Sequence, residues 1–193
     1  CISKKIPLIV SLGCAEFNDI ELLINLCKEN KFDDLILLKC SASYPAPLDT
    51  LNLLTIKDLI QRFNCLVGLS CHSLEEMVPV VAVTLGAKML EKHLVLEGDT
   101  TPDSFFSLTP NKFEKLVNLI RDTEKIIGGV NYDLPKAVKE DLRGRRSLYF
   151  QKAIFKGEKI TKDHIKSVRP AWGLHPKYFN KIIGRKVLKN FDF

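Results

Sequence analysis

An α/β fold with a parallel sheet is predicted for the front two-thirds of this chain, on three observations. Four short strand-like runs occur at positions 6–11, 35–40, 65–70 and 88–94, the first three largely apolar. Each is followed by a stretch of helical character, at 16–30, 49–63, 73–85 and 109–127. The runs do not alternate with polar residues, as expected of strands whose two faces are both covered. Four successive βα units in under 130 residues leave little room for any other arrangement.

The elements follow in order. The first run comes after Lys4 and Lys5 and ends in Gly13-Cys14, so it imitates a secretory leader as well as a strand. The regular βα series behind it favours the strand. The fourth helix has the plainest punctuation: Thr109-Pro110 supplies a cap and a first-turn proline, and Gly128-Gly129 stops it. Positions 130–146 are polar, carry Lys136, Lys139, Arg143, Arg145 and Arg146, and read as a linker. Positions 147–193 hold short β-like pieces at 147–150 and 165–168, a turn at Lys156-Gly157-Glu158 and a short helix from Thr161. The domains expected are therefore 1–129 and 147–193, joined by 130–146, with the second cut short at Asp192-Phe193.

Composition narrows the function classes. With 46% hydrophobic and 27% charged residues the chain reads as an ordinary globular protein. No apolar run approaches the roughly 20 residues of a membrane helix. The six cysteines show neither C-x-x-C pairs nor zinc-finger spacing, and several sit in apolar runs as small hydrophobes, which points to a reducing, cytoplasmic setting. Positions 136–193 carry 16 Lys/Arg against 5 Asp/Glu, a balance of +11, whereas the rest of the chain is acidic within a net charge of +6. The basic residues are interspersed with apolar ones and lack interleaved aromatics, so an acidic partner or anionic substrate is expected rather than nucleic acid.

The chemistry collects at one end of the predicted sheet. In α/β barrels, reactive groups lie where strands end and βα loops begin. The four runs end at Ser11-Leu12-Gly13, at Lys39-Cys40-Ser41, at Ser70-Cys71-His72 and at His93. Small hydroxyls such as Ser11, Ser41 and Ser70 can donate to phosphate oxygens, and Lys39 can add charge. His72 and His93, 21 positions apart, can meet only if neighbouring strands carry them to the same rim, where they would hold a divalent metal that polarises a carbonyl.

These residues carry a resemblance. The stretches Lys39-Cys40-Ser41-Ala42-Ser43-Tyr44-Pro45-Ala46-Pro47, Gly68-Leu69-Ser70-Cys71-His72-Ser73, Leu85-Gly86-Ala87 and Glu91-Lys92-His93 resemble the sialic acid synthase family. Those enzymes condense phosphoenolpyruvate with an N-acetylated hexosamine to give nonulosonic acids. Thr101-Pro102-Asp103-Ser104-Phe105-Phe106, Arg146-Ser147-Leu148-Tyr149 and Arg169-Pro170-Ala171-Trp172-Gly173-Leu174 look most like the pseudaminic acid synthase branch, with N-acetylneuraminate and legionaminic acid synthases as alternatives. A remnant that keeps only metal binding or dimerisation is the alternative from another class.

The resemblance implies the C-terminal half of a TIM (β/α)₈ barrel followed by an antifreeze-like (SAF) domain. It matches His72 and His93 to ligands of manganese, for which magnesium or cobalt could stand in. It matches Ser11 and Ser70 to phosphate contacts, and Tyr44 and Asp103 to sugar contacts. Arg169 matches the arginine that one subunit inserts into its partner's barrel to hold the N-acetyl group, so a domain-swapped homodimer is expected. The chain departs from the family pattern at Cys71, where aspartate is usual, and at Leu12, where threonine is usual. It departs again at Ala42 and at Thr100-Thr101, which replaces a glycine pair. Position 71 is expected to weaken the support of His72 or to offer a soft metal ligand, and position 12 to remove a hydroxyl from the phosphate site. A whole barrel needs about 250 residues, so an upstream half with further substrate-binding glutamates and lysines is expected, and half a barrel leaves two sheet edges open.

Overall fold

The computed structural model describes residues 2–192; Cys1 and Phe193, and the side chain of Leu142, lie outside what it describes. The chain divides into two compact units, Cys1–Gly129 and Val130–Phe193.

The first unit is a curled parallel sheet of four strands in the order β1-β2-β3-β4. They are β1 (Leu8–Ser11), β2 (Leu35–Cys40), β3 (Leu66–Cys71) and β4 (Leu90–Lys92). Helices α1 (Phe17–Glu29), α2 (Leu54–Phe63), α3 (Met77–Thr84) and α4 (Pro110–Ile127) follow them in turn. Leu35, Leu37, Val67, Leu69 and Cys71 of the strands pack with Ile20, Ile24, Ile56, Leu59, Val78 and Ala82 of the helices in one buried core. That assigns odd-numbered positions of β2 and β3 to the helix side. The other face of the sheet carries Ile9, Ser11, Leu38, Cys40, Gly68 and Ser70, by the two-residue period of a strand. Burial pushes the thiols of Cys27 and Cys65 up, so both stay protonated and act as apolar filler.

Three elements differ from the reading of the sequence. Helix α3 starts at Met77, not at 73, because Ser73 forms a turn in which its Oγ accepts from the Glu75 amide at 3.2 Å. Strand β4 is three residues long: beyond Lys92 the chain leaves the sheet and pairs with the segment before α4, where Leu108 N donates to His93 O at 2.9 Å and Val95 N to Leu108 O at 3.0 Å. The stretch read as a linker holds a short helix, α5 (Lys136–Glu140), and groups with the second unit. Helix α4 follows its punctuation, with Thr109 as N-cap, Pro110 in the first turn and Gly128 at φ +51° as C-cap.

In the second unit, β5 (Ser147–Phe150) and β6 (Ile165–Val168) pair antiparallel, and α6 (Phe179–Ile182) follows. Leu148, Ile154, Ile160, Ile165 and Val187 form the core. Immediately after β6 comes Arg169, which is exposed. The loop that follows it is pinned: Tyr149 Oη donates to Pro170 O at 2.7 Å, and Gly173 N donates to Ser147 Oγ at 3.1 Å. Ser147 is 1% exposed, so its hydroxyl is a buried anchor for that loop.

Candidate metal and substrate site

The site is built at the C-terminal ends of the strands, from residues facing away from the helices. In register, Cys40 lies beside Ser70 and Ser70 beside Glu91. Ser70 Oγ donates to Glu91 Oε1 at 2.7 Å, so a carboxylate and a hydroxyl share this face. From the sequence Glu91 has no role of its own beyond its place in the Glu91-Lys92-His93 stretch. The signal that could have found it is its strand position, two residues before His93 and therefore on the same face.

One residue beyond the strands, the two histidines meet. Their ring centroids are 5.2 Å apart and the planes cross at 69°. Tyr44 lies 4.2 Å from the His72 ring, and Phe106 lies 4.7 Å from the His93 ring and 5.2 Å from Tyr44. Phe106 is the largest fully buried side chain among the described residues, 2% exposed, and forms the floor of the cluster. It was not singled out because a phenylalanine in an irregular loop carries no periodic signal. His72 is buried at 4% exposure and its backbone carbonyl accepts from Ala46 N at 3.3 Å. His93 is held by the bond its carbonyl accepts from Leu108.

The partners of Nδ1 sort the four histidines. In the second unit, His164 Nδ1 accepts from the Thr161 amide at 3.0 Å and His175 Nδ1 accepts from the Lys177 amide at 3.0 Å. An amide only donates, so both neutral rings carry their proton on Nε2. Both serve as local caps. In the first unit the logic reverses. His72 Nδ1 donates to the Ser41 carbonyl at 3.1 Å, because a carbonyl only accepts. His93 Nδ1 lies 3.3 Å from Asp103 Oδ2. The neutral His72 ring is thereby left with Nε2 as a lone-pair donor, and His93 faces a carboxylate at ion-pair distance.

Such a pair of rings suits a divalent cation. Two imidazoles sharing one first-row ion at ordinary metal–nitrogen distances have centroids roughly 5 Å apart, which matches the spacing here. A backbone carbonyl or carboxylate on the second ring nitrogen is the usual support for a ligating histidine. Among the described residues no group of three His, Cys, Asp or Glu side chains could hold a metal. Any remaining ligand would come from solvent, substrate or another part of the protein.

The other residues singled out in the sequence fall on both faces. Ser11 is exposed at the end of β1, on the histidine side. Ser41 supplies its carbonyl to His72, while its hydroxyl lies 3.5 Å from Thr50 Oγ1. Lys39, by strand alternation, shares the side of Leu37, and its Nζ donates to Cys40 O at 2.9 Å. Two departures also read differently in the structure. Leu12 is packed in the helix-side core, so no rim hydroxyl is lost there. Cys71 faces the same core at 2% exposure, away from His72, and offers no metal ligand beside it. The support of His72 comes from Ser41 rather than from position 71.

Cys71 instead meets Lys92, whose Nζ donates to Cys71 Sγ at 3.6 Å and to Ser73 O. Cys71→Asp is therefore expected to be tolerated, with unfolding free energy within about 1 kcal/mol of the parent, because the new carboxylate finds a cation. Combined with Lys92→Met, the same change leaves a buried charge unpaired and is expected to cost about 3–5 kcal/mol. Urea denaturation of the single and double variants checks both values.

Comparison with known proteins places this geometry. The NeuB family model matches residues 1–132, and the SAF domain model matches residues 145–191. The chain belongs to the NeuB family. Pseudaminic acid synthase of Campylobacter jejuni is 40% identical over 191 residues, which is 98% of this chain and 56% of that protein. N,N'-diacetyllegionaminic acid synthase of Legionella pneumophila is 33% identical, across 100% of this chain and 56% of that protein. The crystal structure of N-acetylneuraminic acid synthetase from Leptospira borgpetersenii superposes with a TM-score of 0.65 at 30% identity, covering 72% of this chain and 49% of that one. The chain thus spans about half the length of these relatives. As in the NeuB fold, the four-stranded sheet is half of a (β/α)₈ barrel, and the second unit is an SAF domain. Among the described residues no helix is long and apolar enough to cross a membrane.

Proposed function

We propose that this chain is the C-terminal half-barrel and SAF module of a cytoplasmic nonulosonic acid synthase of the pseudaminic type. It would condense phosphoenolpyruvate with a 2,4-diacetamido hexosamine and release inorganic phosphate. The observation that carries this reading is the pair of histidines, their rings 5.2 Å apart on the strand-end rim of a NeuB-family sheet. A divalent ion held by His72 and His93, manganese with magnesium or cobalt as substitutes, supplies Lewis-acid polarisation of the sugar aldehyde when bound.

The remaining work belongs to the protein's own groups. Ser11 is placed to donate to phosphate oxygens, whereas the Ser70 hydroxyl, whose one proton goes to Glu91 here, would have to turn from that carboxylate to do the same. Tyr44, backed by the buried Phe106, presents an aromatic face against which a sugar can lie. In the reaction, C3 of phosphoenolpyruvate attacks the aldehyde carbon, water adds at C2, and the adduct collapses with loss of phosphate. Positioning of the two substrates is what this rim contributes. Arg169, exposed after β6 in a pinned loop, would hold the N-acetyl carbonyl in a second copy's barrel, which makes the active species a swapped homodimer.

The test is sugar-dependent release of phosphate from phosphoenolpyruvate, followed by phosphorus NMR on the protein expressed from its complete reading frame with manganese. Release that requires the diacetamido sugar is expected. No release, or release indifferent to the sugar, overturns the reading.

A further inference from the structure

Asp103 has a contact beyond the role the resemblance gives it. Its side chain is 56% exposed, and Oδ2 sits 3.3 Å from His93 Nδ1. The segment between the two residues is built to hold it there. Thr101 N donates to Ser104 Oγ at 2.7 Å, and Ser107 Oγ and Phe106 N donate to Asp103 O at 2.7 and 3.3 Å. Leu108 then closes the loop onto the His93 carbonyl. Phe106, buried under the His93 ring, anchors the same turn.

We propose that Asp103 is a positioning residue that locks His93 in the Nδ1–H tautomer, so that its Nε2 lone pair stays available to a metal. The inference rests on the metal-binding part of the proposed function. Its physical basis is independent of that reading: a ring nitrogen lone pair facing a carboxylate at this distance is repelled, whereas an N–H is attracted. A histidine side chain free in water favours the opposite tautomer, with the proton on Nε2, which would hide the donor. His72 achieves the same state through the Ser41 carbonyl, so a backbone group serves one ring and a side chain the other. Only the second can be removed by substitution.

The experiment is long-range proton–nitrogen NMR of nitrogen-15-labelled protein, above the ordinary titration range of imidazole, joined to manganese titration by electron paramagnetic resonance. In the parent, His93 and His72 should both show Nδ1–H. Asp103→Leu should move His93 to Nε2–H, leave His72 unchanged and weaken manganese binding about 10–100-fold. Asp103→Asn keeps an acceptor oxygen and should retain both the tautomer and most of the affinity. Circular dichroism of each variant confirms the fold; Asp103 is exposed and only its backbone carbonyl holds the turn. If His93 stays Nδ1–H in Asp103→Leu, or if His72 shifts equally, the proposal is overturned. If the parent binds no manganese yet the His93 tautomer still depends on Asp103, the lock stands and the metal reading falls.

Discussion

His93→Ala is expected to abolish specific manganese binding with little change in stability, and His72→Ala to abolish it with a measurable loss of stability. Each removes one of only two imidazoles at the site. The loss in affinity should exceed the roughly 10–100-fold that removing an outer-sphere partner costs. The stability difference follows from burial. His93 is half-buried at the rim, whereas His72 is 4% exposed and its Nδ1 is the partner of the Ser41 carbonyl. Truncating His72 leaves that carbonyl without its donor and opens space beneath Tyr44, which should cost about 1–3 kcal/mol. Calorimetric manganese titration with urea denaturation separates the two effects. Unchanged binding in both variants would sink the metal site.

The second large effect is expected at a residue with no functional group. Gly68 lies in the middle of β3, where a Cβ would meet the Met89 carbonyl oxygen at 2.5 Å, Leu38 Cδ2 at 2.6 Å and Met89 Cβ at 2.9 Å. The oxygen belongs to the backbone that receives the Leu69 amide, so it cannot swing away as a side-chain tip can. Gly68→Ala must therefore push β4 outward or distort β3, at about 1–3 kcal/mol. Because β3 carries His72 and β4 carries His93, the same displacement should widen the histidine pair and weaken manganese binding alongside stability. A drop in melting temperature without any change in metal affinity would show that the pair is held by the Phe106 loop rather than by the sheet.

Much of the fold was legible because its signals are local. The apolar runs, the Thr109-Pro110 start and the glycines after Ile127 mark elements through backbone chemistry that works within a few residues. The shortening of β4 was not legible. Residues 88–94 form one apolar-flanked run, and only the meeting of Leu94 with Leu108 takes the chain out of the sheet after Lys92. The late start of α3 has a similar origin, since Ser73 forms a turn and Lys92, from the next strand, bonds its carbonyl.

By itself the sequence determined the order of the βα units, the family, and the set of residues delivered to the strand ends. Only the tertiary structure decided which of those residues share a face. A strand buried on both sides has no alternation of polar and apolar residues, so its facing cannot be read from composition. Packing against the helices turns Lys39, Cys71 and Leu12 away from the histidines and leaves Ser70 and Glu91 with them. The Nδ1 contacts of His72 and His93 were decided at the same level. They depend on a carbonyl 31 positions from one ring and a carboxylate carried round to the other by a folded loop, and neither contact exists until the chain has packed.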